Sequence, residues 1–251
     1  MTYRGWVSIA PGRLYYGGRI TPGDLHTHYA AQLLIGPGLV LRDAAGDSRP
    51  LPAALIPANT PHAIVSGTST GLLALIDPAQ TGVPGWLRDP RGGPPRDGRP
   101  PEGHSAASWA VDLDPPTRFD LPALIALVDD LTGTPPGGRH PALVAALEVV
   151  ARTLPAPVRL AAVAHAVHLS ESRLAHLFTG ELGLPFRPYV LWERLRVALT
   201  STAQGASLTT AAHEAGFADA AHLTRTVRRM MGDTPSALAT GVRWLPFPSR
   251  G

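Results

Sequence analysis

The 251-residue chain contains no cysteine and no lysine. Without cysteine neither disulfide bridges nor thiolate metal sites can form, and the redox compartment cannot be read from the count. Without lysine, all 22 basic side chains other than histidine are arginine. A guanidinium suits phosphate and guanine contacts, although genomic base composition produces the same bias. No apolar run reaches the roughly 20 residues that a membrane span needs. The first 20 residues alternate polar and apolar groups and include Arg4, Arg13 and Arg19, unlike a secretory signal. A cytoplasmic protein without a membrane partner is expected. Glutamate is also missing from the N-terminal part, the first being Glu102.

The length allows two domains, since single domains run most often to about 100 to 150 residues. Charge divides the chain in the same way. Residues 139–251 carry 12 arginines against 7 acidic groups, net +5, whereas residues 1–138 carry 10 against 12, net −2. Short apolar runs at 31–35, 39–41, 54–56, 63–65 and 72–76, separated by Gly, Pro, Asn and Asp, predict a β-barrel or jelly roll. A dense Gly/Pro/Arg stretch at 82–101 reads as a surface loop. Leu121, Leu124, Ile125, Val128 and Leu131 then fall at helical spacing and predict an amphipathic helix packed on its own domain. Residues 133–138, rich in Gly and Pro, make an interdomain linker, and from His140 onward the pattern is helical. The expected organisation is an α+β two-domain chain: residues 1–118 a barrel, 119–138 a helix and linker, and 139–251 an all-α domain.

Two helix-turn-helix patterns occupy that last part, their second helices entered at Ser170 and at Asp219, 49 residues apart. Ser170 is a good N-cap, because its hydroxyl can accept an orphan helix N–H. Gly216 stands in the second turn, where a positive φ is cheap. A helix over residues 186–204 would be about 28 Å long. Successive major grooves on one side of a duplex are separated by about 34 Å. One chain can therefore place both units on a bipartite site.

Within each second helix, periodicity separates core from surface. Leu174, Leu177 and Phe178 face inward in the first, leaving Ser172, Arg173, Ala175 and His176 outward. In the second, Leu223, Val227 and Met230 face inward, leaving Ala221, His222, Arg225 and Arg229 outward. Arg225 is the best base reader, since a guanidinium takes guanine O6 and N7 together. Arg228 and Arg229 suit phosphates. A solvated helix face accounts equally well for Arg173 and Arg229.

Residues 139 to about 241 resemble the DNA-binding domain of AraC-family bacterial transcriptional regulators. The resemblance is carried in order by Leu169 to Phe178, Leu182-Gly183, Pro188-Tyr189, Arg194-Leu195 with Ala198, Ala215-Gly216-Phe217, His222 to Arg225, and Gly232 to Ser236. It implies that Ser172, His176, Ala221, His222 and Arg225 face bases. Leu223 and Val227 depart from the family's usual Phe and imply looser packing of the second unit.

His26-Thr27-His28 with Gln32, followed by His62, resembles the two cupin motifs, in which three imidazoles and a fourth group converge inside a small barrel. Strand alternation puts His26 and His28 on one face, and Gln32 with them if no bulge intervenes. One divalent transition metal, Zn or Ni, at His26, His28 and His62, with Gln32 as a further candidate ligand, is one reading. Metal cupins commonly have Glu where this chain has Gln32. A metal-free pocket whose histidines bind an organic effector is the other reading. His104 is a further candidate ligand. A cupin metal enzyme is the reading from another class; the attached helix-turn-helix units and the lack of a carboxylate beside the histidines argue for a regulator, without enzyme activity. Its expected partners are double-stranded promoter DNA and a small effector or metal ion, with RNA polymerase and a second copy of the chain as further candidates.

Overall fold

The computed structural model describes residues 5–10, 12–77, 105–113, 118–132, 139–231, 235 and 241–248. The expected loop at 82–101, His104, the linker at 133–138 and all but Pro235 of the Gly232 to Ser236 motif lie outside these residues.

Nine strands form the N-terminal domain: β1 (Gly5–Ala10), β2 (Arg13–Ile20), β3 (Gly23–His26), β4 (Ala31–Ile35), β5 (Val40–Asp43), β6 (Ser48–Pro50), β7 (Ala53–Ile56), β8 (His62–Ser66) and β9 (Thr68–Ile76). They make two facing sheets, in the orders β1-β2-β9-β4-β7 and β3-β8-β5-β6. The five apolar runs expected as strands fall in β4, β5, β7, β8 and β9, with Leu39 just ahead of β5. Every residue of β4 is buried, in keeping with its Ala31-Gln-Leu-Leu-Ile35 run: both faces of this strand, which lies between β9 and β7, are covered.

The first sheet has two differently used faces. On its outer face Tyr15, Leu33, Leu72, Ala74 and Ile76 pack against helix α1 (Leu121–Thr132) through Leu121, Leu124 and Val128. That stripe therefore packs on its own domain, as its spacing indicates, and Arg13 of β2 pairs with Asp129 of the helix. On the inner face Leu34, Ala54 and Ile56 meet Leu41 and Ile64 of the second sheet, with the fully buried Trp109.

Six helices follow: α2 (Pro141–Thr153), α3 (Leu160–Ala166), α4 (Glu171–Leu182), α5 (Phe186–Ala203), α6 (Leu208–Glu214) and α7 (Ala220–Met231). One core gathers α2 to α4 and the start of α5 around Leu143, Val150, Phe178 and Phe186. The other gathers the rest of α5 with α6 and α7 around Leu195, Leu199, Ala211, Leu223 and Val227. This second core does not stop at the domain boundary. Ala30 and Leu75 of the barrel are buried in it, with Leu14 and Leu73 packed against it. The helical domain thus covers the part of the first sheet's inner face that the second sheet leaves open.

The chain end departs from the helical expectation. Strand β10 (Val242–Trp244) pairs in parallel with β1 through Gly5↔Val242, Trp6↔Arg243 and Val7↔Trp244. Leu245 N–H continues the pairing by donating to Val7 O at 2.8 Å. Phe247 stacks on Tyr15 with ring centroids 5.9 Å apart and planes at 15°. Residues 242–247, placed by sequence with the all-α domain, belong structurally to the barrel's sheet. Among the described residues, no helix is long and apolar enough to cross a membrane.

Candidate nucleic-acid interface and histidine pocket

Both helix-turn-helix units form where the caps indicate. Ser170 Oγ accepts from Arg173 N–H at 3.2 Å, and Asp219 Oδ1 accepts from His222 N–H at 2.6 Å. Gly216 has φ +75°, and a Cβ there would meet Pro155 O at 2.2 Å, so the turn needs glycine for two independent reasons. The equivalent turn of the first unit holds His168 at φ 56°. Sequence reading missed this position, because histidine carries no turn signal of its own.

The inward and outward faces divide as periodicity dictates. Leu174, Leu177, Phe178, Leu223, Val227 and Met230 are all buried. Ser172, Arg173 and His176 on α4, and Ala221, Arg225, Arg228 and Arg229 on α7, are exposed, with His222 half-buried against Phe217. Helix α5 joins the units with 18 residues, a spacer of about 27 Å. Ser201 Oγ donates to Glu214 Oε2 at 2.5 Å and ties α5 to α6. Buried Glu193 holds Arg196 at 2.8 Å. Burial opposes the charge on Arg196, but hydrogen bonds and attraction from Glu193, with Asp77 at the end of β9 adding to them, raise its pKa. The exposed sets on α4 and α7 are thus joined by a helix, α5, that carries an internal ion pair and packs against the barrel.

His26, His28 and His62 come together, with their candidate ligand atoms all within 4.8 Å of one another. The route differs from the one strand alternation suggests. His26 ends β3 and pairs directly across to His62 on β8, while His28 lies beyond the strand. Gln32 belongs to β4 in the opposite sheet. The chain crosses between sheets at residues 27–30, and that crossover brings Gln32 opposite the histidines. A continuous strand could not do so.

Hydrogen bonds set the tautomers. Nδ1 of His26, His28 and His62 lies 2.8, 2.9 and 2.9 Å from the carbonyl oxygens of Asp24, Ala30 and Thr60. Carbonyls only accept, so each Nδ1 carries the proton and each Nε2 presents a lone pair. His62 Nε2 is buried without a hydrogen-bond partner among the described residues. His28 Nε2 lies 3.0 Å from the atom assigned as Gln32 Oε1. Two acceptors cannot bond, so the Gln32 amide nitrogen is the group that faces His28. Burial, then repulsion from His26, lowers the pKa of His28 to about 4. Burial, then His28 and His26, lowers that of His62 well below 6.5. Both imidazoles are neutral near pH 7. Trp109, which the sequence did not single out, closes the far side with its ring 6.2 Å from that of His62.

His26 and His28, with Gln32, line a cavity of about 180 Å³, and His62 lies behind them. Leu14, Leu73 and Leu75 of β2 and β9 form one wall, Arg19 lines the pocket as an exposed residue, and Met230 of α7 contributes from the helical domain. Arg19 and Met230 escaped sequence reasoning as pocket residues, since nothing local links them to the histidines.

A two-sheet barrel followed by tandem helix-turn-helix units defines a two-domain protein of the DNA-binding class. Residues 163–240 match a family model described as a helix-turn-helix domain. No curated protein matches the chain. Solved structures do. ToxT from Vibrio cholerae O395 is 12% identical over 93% of this chain and 100% of its own, with a TM-score of 0.54. ToxT from strain SCE256 with an unsaturated fatty acid bound is 11% identical over 93% and 98%, also with a TM-score of 0.54. A Chromobacterium violaceum regulator with an AraC-type DNA-binding domain is 26% identical over 40% of this chain and 93% of its own, with a TM-score of 0.38. The two-domain fold is like that of ToxT, and residues 163–240 form a helix-turn-helix domain.

Proposed function

We propose that this chain is a sequence-specific regulator that reads a bipartite promoter site through α4 and α7 and senses a metal ion or small molecule in its barrel. The observation that carries the first half is the outward set on the two capped second helices, held one helix length apart by α5. Arg225 reads guanine, with Ser172, His176, Ala221 and His222 facing other bases. Arg173, Arg228 and Arg229 contact phosphates and contribute affinity without sequence information.

The donor set fits a divalent ion. Three Nε2 lone pairs converge, one of them buried with no hydrogen-bond partner among the described residues. An ion with bonds of about 2.05 Å spaces tetrahedral ligands by about 3.3 Å, so shifts below about 1 Å per ring bring the three onto one ion. His26, His28 and His62 would hold it, and Gln32 would turn its amide oxygen inward as a neutral fourth group. Such an ion supplies positive charge and open positions for a further ligand. The fatty acid bound to ToxT supports the broader reading of the barrel as a small-molecule sensor.

Coupling has a short route. Tyr29 and Ala30, next to His28, pack into the cores of the helical domain. Movement of His28 onto a ligand therefore shifts residues seated beside α5. Such a ligand changes DNA affinity only in so far as it binds the two arrangements differently.

The test is binding of the full chain to duplex DNA. Affinity should fall steeply with salt as arginines release counterions. Arg225→Ala should cost about 1 to 3 kcal/mol on a specific site and much less on random DNA. Equal losses on both would make Arg225 a phosphate contact, and no binding at low salt would end the assignment.

A further inference from the structure

The pocket leaves a charge unbalanced. His26, His28 and Gln32 line its polar end, Arg19 lines it as an exposed residue, and among the described residues no Asp or Glu lines it. Arg19 makes no ion pair among the described residues. Where a carboxylate would partly neutralise a divalent ion, Gln32 brings none. A bound ion would therefore leave a doubly positive centre beside a guanidinium, in surroundings that disfavour uncompensated charge. Beyond this polar end the walls are aliphatic. Leu14 and Leu75 are cross-strand partners on the inner face of β2 and β9, with Leu73 beside them. Met230, only 1% exposed and in the last turn of α7, completes the wall.

We propose that the pocket takes a small organic anion, with its charged head at Arg19 and the histidines and its apolar body along Leu14, Leu73 and Leu75 against Met230. This rests on the sensor reading of the barrel and adds the ligand's class and the element that detects it. The head supplies the negative charge that the protein withholds. The body meets a methionine, a flexible side chain that adapts to the shape beside it. Met230 lies one residue from Arg229 and five from Arg225, on the helix that faces DNA. The length of the apolar body thereby sets the seat of α7, and the second half-site is read according to what the barrel holds.

Calorimetric titration of the full chain with octanoate, octanol and octylammonium, each with and without Co²⁺, tests this. Octanoate is expected to bind at least about tenfold tighter than either of the others, and Arg19→Gln to weaken it by about tenfold. Met230→Ala should weaken octanoate by less than Arg19→Gln does and, even at saturating octanoate, remove its effect on DNA affinity. Equal or tighter binding of octanol or octylammonium, or octanoate binding indifferent to Arg19→Gln, overturns the ligand class. Persistence of the octanoate effect on DNA in Met230→Ala overturns the role of α7. The metal is read separately, in the visible absorption of Co²⁺. If that signal fails to develop, or survives in His62→Ala, metal sensing falls, and the comparison of the three ligands still decides the anion.

Discussion

His28 and His62 are polar side chains in a barrel core, and their cost is an explicit function of pH. Native His28 stays neutral down to about pH 4, whereas in the unfolded chain it titrates near the ordinary histidine value of about 6.5. Between those values the unfolded state takes up a proton that the native state refuses, so stability falls as pH drops through this window. Chelator-treated protein should therefore show a melting temperature that declines steadily from pH 7 to 4.5. His28→Gln should flatten that decline, and an unchanged slope in the variant would place the titrating group elsewhere. Metal content offers a second check at this scale. His26→Ala, His28→Ala and His62→Ala should each lower bound Zn²⁺ or Ni²⁺ measured by elemental analysis. Gln32→Glu should raise metal affinity by restoring a negative ligand, and weaker metal binding would show that Gln32 serves another ligand. The three histidines were legible as a set through their resemblance to the cupin motifs. Their geometry was not, because a chain crossing between two sheets leaves no periodicity to read, and Arg19 and Met230 join the pocket only through long-range packing.

Among the elements, the helix-turn-helix units depend on two tight left-handed turns met in different ways. At Gly216 both the positive φ and the carbonyl of Pro155 exclude a side chain. Gly216→Ala should cost roughly 2 to 4 kcal/mol in denaturant unfolding, and a loss below 1 kcal/mol would mean that the turn relaxes. His168 occupies the same region at a conformational cost. His168→Gly should then be neutral or stabilising by up to about 1 kcal/mol. Asp219→Ala removes the cap on His222 N–H and should destabilise α7 by about 1 kcal/mol. The helices were legible because caps, glycine and a 3.6-residue stripe agree locally. Strands β4, β5, β7, β8 and β9 were legible as apolar runs bounded by turn residues. Strands β1, β2, β3 and β6 were not singled out: Ser8 breaks the apolar run of β1, Gly17 and Gly18 interrupt β2, β3 has only one apolar side chain, Leu25, and β6 is Ser-Arg-Pro. Strand β10 is three residues long, and its partner lies at the other end of the chain, so nothing near it in sequence announces it.

In the whole molecule the two domains share one continuous packing arrangement rather than a flexible join. Ala30 and Leu75 are buried in a helical core, Met230 lines the barrel's pocket, and β10 returns from the helical domain to the edge of β1. Removing residues 241–251 uncovers that edge and the surface beneath Phe247. The truncated chain should lose roughly 2 kcal/mol or more and self-associate through the open edge in sedimentation experiments. Unchanged stability would show that the returning strand contributes no net free energy. The central claim, that α4 and α7 read two half-sites from one chain, is tested most directly by selecting binding sites for the full chain from randomised duplex DNA. The expected result is enrichment of a bipartite sequence whose halves lie about 10 base pairs apart, centre to centre, with preference at one position of one half lost in Arg225→Ala. Enrichment of a single half-site, or tolerance of about 5 base pairs inserted between the halves, would contradict it.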